Sequence, residues 1–331
     1  MVHHGDVLKL AICSPSSLTD AVVAVLVDDP SVTSLTVTRG TALRPLGDEI
    51  SADVPRESAN VLLHQLLDTG VQVEGSIHLD PAATWVSKSG FEAIEEAPGA
   101  SPDAVVWAEV VQRAYDDSEL TFTFQAFMIM ATLIASIAII VDSQILVIGA
   151  MVLGPEFGAI AALGIGLLRR RPALLRQATR SLVIGFGVAI GVTMLVTLTG
   201  RAVGWVEVSD LTQPRPLTAF IYTPDRWSIV VAVIAGVAGV LSLTSGKTTG
   251  LAGVFISVTT IPAAGNMALA LAFGVWSEVA GSALQLGLNI TGMALAGWAT
   301  LWVQQTYWRR FNRRAHPRRR ASDDPRTVRT V

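Results

Sequence analysis

Two stretches decide how this chain is read: GAMVLGPEFG (149–158) and ISVTTIPAAG (256–265). Each places a proline, followed three residues later by a glycine, inside an apolar segment long enough to cross a bilayer. Proline removes a backbone donor and leaves carbonyls unpaired, at roughly 3 kcal/mol in water, and hydrocarbon has no solvent to satisfy them. Such interruptions persist where neighbouring protein or a watery cavity takes up the freed groups. Two of them at matching depth predict a duplicated, functional membrane core.

Working outward, six apolar spans lie at about 124–141, 145–168, 181–200, 228–245, 250–275 and 279–303, each near or above the ~20 residues needed to cross hydrocarbon. The composition agrees. The chain has 331 residues, of which 51% are hydrophobic and 15% charged, and its mean hydropathy of +0.50 is too apolar for a soluble enzyme of this size. Basic residues set the orientation. RRRPALLRQATR (169–180), Lys247 and the arginines from Arg309 to Arg320 fall on one side of the spans, which predicts a cell (cytoplasmic) membrane protein with both termini in the cytoplasm. Asp142, the segment 201–226 and the turn 276–278 are then outside, although Arg201, Arg215 and Arg226 fit that rule poorly.

Sliding the sequence by the separation of Pro155 and Pro262 lays spans one to three on spans four to six. Because three crossings are an odd number, the second copy enters from the opposite face, a 3+3 inverted repeat of the kind found in secondary transporters. Chance matching of glycine and alanine is the competing explanation.

The front of the chain has a different character. Residues 1–121 carry 19 acidic and 6 basic side chains. Strands are expected at 7–14, 32–38, 49–54 and 71–79, and helices at 17–28 and 58–69, the latter with Val61, Leu62, Leu66 and Leu67 on one side. The order βαββαβ predicts a small α+β ferredoxin-like cytoplasmic domain over 1–86. A linker and amphipathic helix follow at 87–121. Val106, Trp107, Val110, Val111 and Ala114 form the helix's apolar stripe, to be laid on the membrane or against the front domain. The transmembrane domain is then 122–305, and a basic tail occupies 306–331, where it enforces topology and touches anionic lipid. Cys13 is the only cysteine, so no intrachain disulfide or cysteine-based zinc site can form. The opening residues lack a secretory signal, which leaves insertion to the first internal apolar helix.

The chemistry is expected at the breaks. Half-helices starting at Pro155 and Pro262 would aim positive dipole ends at a shared centre, favouring an anion, while the carbonyls of 151–153 and 258–260 could instead hold a cation. Glu156 is the sharpest residue, because an ionisable group near mid-bilayer is a functional candidate by default. It could equally cap the first turn of its half-helix. Pro155, Gly158, Thr259, Thr260, Pro262, Gly265, Asn266 and Asn289 complete the candidate set for a substrate or ion, with Gln285 as a further amide. Singly, such polar groups serve as well for interhelical bonding. Gly187 and Gly191 form a GxxxG spacing suited to close helix approach within or between subunits. TSGKTTG (244–250) lacks the earlier glycine of a phosphate-binding loop, and the histidines His3, His4, His64, His78 and His316 lack metal-ligand spacing. No cofactor, metal or nucleic-acid partner is therefore expected. No catalytic constellation stands out either, so the chain reads as a non-enzyme, with a membrane-embedded enzyme as a third class.

IGAMVLGPEFGAIAALGIGLL (148–168), LAGVFISVTTIPAAGNMALALAFG (251–274) and LNITGMALAGWATLW (288–302) resemble the hydrophobic membrane family known as domain of unknown function 389. The resemblance implies a prokaryotic multi-pass membrane protein, often with a small cytoplasmic N-terminal domain, and supplies no substrate or catalytic residue. Ala159 and Ala263 stand where many relatives have a further proline, which implies softer breaks here. The leading expectation is a transporter or channel-like homo-oligomer in the lipid bilayer, acting on a small solute or ion. The rival is a non-transporting sensor or scaffold whose apolar core anchors and oligomerises the front domain.

Overall fold

The computed structural model describes residues 7–82, 105–223, 225–244 and 259–315, with no side-chain detail for Thr212 or 308–315. The linker at 87–102, Lys247 and the TSGKTTG stretch beyond Thr244, the carbonyl of Val258, His3, His4, His316 and the tail from 316 all lie outside these residues. Two compact units are present, one made of the described residues up to Ala108 together with those from Gln305 onward and the other of Glu109–Gln304.

In the first unit, β1 (Val7–Ser14) is followed by α1 (Ser16–Asp28), β2 (Ser34–Leu43), β3 (Leu46–Pro55), α2 (Arg56–Asp68), the helical turn α3 (Val71–Glu74) and β4 (Ser76–Pro81). The four strands form one antiparallel sheet in the order β2-β3-β1-β4, so β1 is flanked by β3 and β4. Alternation along β1 puts Leu8, Leu10 and Ile12 on one buried face. Leu10 and Ile12 pack with Val22 and Leu26 of α1 and Leu62 and Leu66 of α2. Val61 and Leu67, expected beside Leu62 and Leu66, are exposed, because only one stripe of α2 meets the sheet. The strand expected at 71–79 is also corrected: Gly70 takes a left-handed conformation (φ 81°), residues 71–74 make a turn of helix, and the strand begins at Ser76. Asn60 receives the amide of Trp107 and donates to the carbonyl of Val105, while Val106 packs on Leu8 and Ala59. The start of α4 (Trp107–Asp117) is thereby fastened to the sheet's own unit.

The second unit is helical. Its elements are α5 (Phe122–Ile140), α6 (Gln144–Leu153), α7 (Glu156–Arg169), α8 (Pro172–Ala202), the short α9 (Val208–Thr212), α10 (Arg226–Thr244), α11 (Thr260–Phe273) and α12 (Trp276–Ala315). Local chemistry sets many of the ends. Thr121 and Ser143 accept amides at the starts of α5 and α6, Pro172 opens α8 where its missing N–H costs nothing, and Gly274 (φ 75°) closes α11.

Among the described residues, α5, α8, α10 and α12 are each long and apolar enough to cross a membrane, and α6 with α7 passes the same test as a pair bent by 56°. Proline at 155 disfavours helical geometry for the residue before it, and Gly154 is accordingly extended (φ −69°, ψ 128°). α11 has 14 residues, about 21 Å at 1.5 Å each, short of the ~30 Å hydrocarbon layer. The first half of the fifth expected span falls outside the described residues. α8 begins nine residues before the expected 181, and α12 continues past 303. α11 is buried nearly all round and packs against α5, α6 and α8, so it lies at the centre of this unit.

Candidate functional site

The first residue of α7 meets the first residue of α11. Thr260 Oγ1 donates to Glu156 Oε1 at 2.5 Å, so the two proline-marked helices begin at one buried point. Glu156 is only 6% exposed, its Oε2 has no hydrogen-bond partner among the described residues, and no ion pair forms at it there. A Cβ built on Gly154 would run into Glu156 Oε2 and the Ile261 side chain, so the bare glycine leaves the space that the carboxylate occupies.

Beside this pair, Thr259 Oγ1 accepts from Gln285 Nε2 and from Asn289 Nδ2, both at 2.9 Å. Gln285 and Asn289 are each 2% exposed, and Gln285 Oε1 has no partner among the described residues. One or two turns toward the start of α12, Asn266 donates to Ser282 Oγ at 2.9 Å and to Glu278 Oε2 at 3.0 Å. Arg215 from the α8–α10 connector completes this second cluster. Its Nη2 donates to both oxygens of Glu278 at 2.7 and 2.8 Å, its Nη1 to Asn266 Oδ1 at 3.2 Å, and its guanidinium lies 4.9 Å from the Tyr222 ring centre.

The two clusters share a helix face. Glu278, Ser282, Gln285 and Asn289 recur at intervals of four, three and four residues, which places them in one stripe along about 16 Å of α12. Opposite them stand Thr259 and Asn266, at and beyond the start of α11. A polar seam therefore runs through a largely apolar bundle.

The expected residues separate into two groups. Glu156, Thr259, Thr260, Asn266, Asn289 and Gln285 come together in the seam. Pro155 sits immediately before α7, and Pro262 is the third residue of α11, where a proline is tolerated because first-turn amides have no intrahelical partner. Gly158 and Gly265 serve packing: a Cβ on the first would meet Asp117, and one on the second would meet Ala135 and Ser136 of α5. Gly187 and Gly191 have nothing within 4 Å of an added Cβ, so their spacing brings no other described helix close in this protomer. His64 and His78 are exposed.

Arg215, Glu278 and Ser282 lie outside the expected set. The four-three-four spacing on α12 is the signal in the sequence for Glu278 and Ser282. Arg215 reads in the sequence only as an awkward outer-loop charge, and its burial depends on a distant carboxylate. The connector is held elsewhere too, since Thr218 Oγ1 donates to Asp142 Oδ1 at 2.8 Å and Gln144 Nε2 to the carbonyl of Leu217 at 3.2 Å.

Comparison with known proteins places this seam inside a recognised domain. An uncharacterised protein of Methanocaldococcus jannaschii is 26% identical over 168 residues, 51% of this chain and 50% of that protein, so the chain spans about half the length of this relative. No solved structure matches. The family model described as "Domain of unknown function (DUF389)" matches residues 151–295, from the end of α6 into α12 and across every residue of the seam. The resemblance drawn from the motifs therefore holds over residues 151–295, which match the DUF389 family model.

Proposed function

We propose that this chain is a multi-pass protein of the cell (cytoplasmic) membrane that passes a small solute or ion through the seam between α7, α11 and α12, as a transporter or channel. The buried contact between Glu156 and Thr260, with Glu156 Oε2 unpartnered among the described residues, carries the reading. Placing an ionisable group deep in an apolar bundle is costly, and chains that do so use it for ion pathways and proton relays.

Several observations support a membrane setting. Trp276 (71% exposed) and Trp302 (53% exposed) stand toward the two ends of α12, about 39 Å apart at 1.5 Å per residue, near the 40–45 Å of a bilayer with its interfacial zones. Arg169, Arg170 and Arg171 join α7 to α8, in keeping with cytoplasmic termini, although Arg201 and Arg226 lie at the opposite helix ends. A 3+3 inverted repeat fits the recurrence of a long helix, a proline-marked segment and a longer helix in each half. The strand order β2-β3-β1-β4 supports a ferredoxin-like front domain, to which a regulatory or assembly role is assigned by analogy with its architecture.

The scaffold reading draws on one feature, the uncovered α8 face with Gly187, Gly191, Val183 and Leu195, which suits contact with a second copy. Flux across proteoliposomes for a panel of ions and small acids separates the two. Transport that falls severalfold in Glu156→Gln is expected, and native protein that moves nothing at any gradient leaves the scaffold.

A further inference from the structure

We infer that Glu156 Oε2 and Gln285 Oε1 are ligands for one small monovalent cation; this deepens the pathway reading and rests on it. Both atoms are buried, and neither has a partner among the described residues. An ionised carboxylate and an amide oxygen only accept, so whatever completes them is a donor or a cation.

Charge narrows the choice. Positive ends of α7 and α11 would draw an anion to this point, but Glu156 already occupies the start of α7 with a negative charge of its own. A neutral donor would leave that carboxylate uncompensated in an apolar interior, and a divalent ion would replace one buried net charge with another. The nearby formal charges of the seam, Arg215 and Glu278, cancel each other through their ion pair. One positive charge balances the site. Oxygen ligands suit a hard cation. The role of Thr260 is to fix the carboxylate through Oε1 so that Oε2 is left for the ion.

Full-length protein in detergent, titrated with radioactive sodium or, in a separate arm, rubidium, tests this, with N-methylglucamine chloride holding ionic strength constant. Native protein is expected to bind one tracer saturably. Glu156→Gln abolishes that binding, and Gln285→Met, which keeps the volume and removes the carbonyl, weakens it at least about tenfold. Absence of saturable binding to the native protein, at neutral and at alkaline pH, overturns the inference and assigns the carboxylate to a proton alone. Equal binding by native and Glu156→Gln protein also overturns it. The native titration needs no variant, so misfolding of a substituted protein leaves the test decisive. Flux through proteoliposomes that ignores both cation and Glu156→Gln sinks the cation site and leaves a pathway standing; a bound tracer without flux does the reverse.

Discussion

Glu156 and Thr260 stand 104 positions apart and join the first turns of two helices through a 2.5 Å hydrogen bond. The bond is possible because Gly154 has no side chain to contest the carboxylate's position. Gly154→Ala should push Glu156 away from Thr260 and cost about 1–3 kcal/mol of stability, as overpacking does. Transport should fall with it. Thermal unfolding in detergent and proteoliposome flux check the two effects, and a fully stable, fully active variant would show that the glycine is not needed for room.

Arg215 and Glu278 form the best-buried ion pair among the described residues, with side chains 3% and 13% exposed. Removing one partner strands the other, so Arg215→Ala or Glu278→Ala should each destabilise by about 3–5 kcal/mol. Replacing both with apolar side chains of similar volume should recover most of the loss, though Asn266 also gives up partners. A double-mutant cycle on melting temperature measures the coupling, and strictly additive losses would exclude a functional pair.

Thr259 accepts from two buried amides while each amide reaches only one hydroxyl. Thr259→Val therefore orphans two donors, whereas Asn289→Leu removes a donor together with its need. The first should cost about 1–3 kcal/mol per stranded group and the second near the ~0.6 kcal/mol average of bonds inside membranes. Comparable unfolding temperatures for the two variants would contradict this asymmetry.

In the front unit, Asp48 accepts from Thr19 Oγ1 at 2.6 Å and from the amide of Gly40 at 2.8 Å. These bonds hold its carboxyl below the usual aspartate range. A depressed folded value means that the stabilisation is complete above the unfolded value of about 3.9 and is lost as pH falls through the folded one. Hydrogen-exchange protection in β2, β3 and α1, measured relative to the intrinsic rate at each pH, should fall in that acidic window and not near neutrality. Asp48→Asn should flatten the acid response, and an unchanged profile would show that the carboxylate carries none of it.

Particular residues show how far the chain can be read without coordinates. Spacing along the sequence locates α1, α2, β1, α5 and α10 within about two residues of their ends, because helix and strand periods are local and burial imposes them on every turn, whereas α8 starts nine residues early and α12 runs past 303, where polar flanks continue the helix beyond the apolar stretch. It also marks Pro155 as a break, since the missing amide and the constraint on Gly154 act between neighbours. The strand expected at 71–79 starts late because a left-handed glycine and one helical turn leave the same alternating pattern. Glu156, Thr259, Thr260, Asn266 and Asn289 stand out as polar groups in apolar surroundings, but their partners are not legible.

Composition and periodicity by themselves determined that the chain has a small strand-bearing front and an apolar helical remainder with an interrupted segment at Pro155. Only tertiary structure decided that Glu156 meets Thr260, that Arg215 is buried against Glu278, and that Gly158 and Gly265 pack while Gly187 and Gly191 stay uncovered. The physical reason is range. Propensity, capping and amphipathic period act over a few residues, whereas a buried hydrogen bond or ion pair is fixed by how distant helices pack, and no local pattern encodes which polar group will lie opposite which.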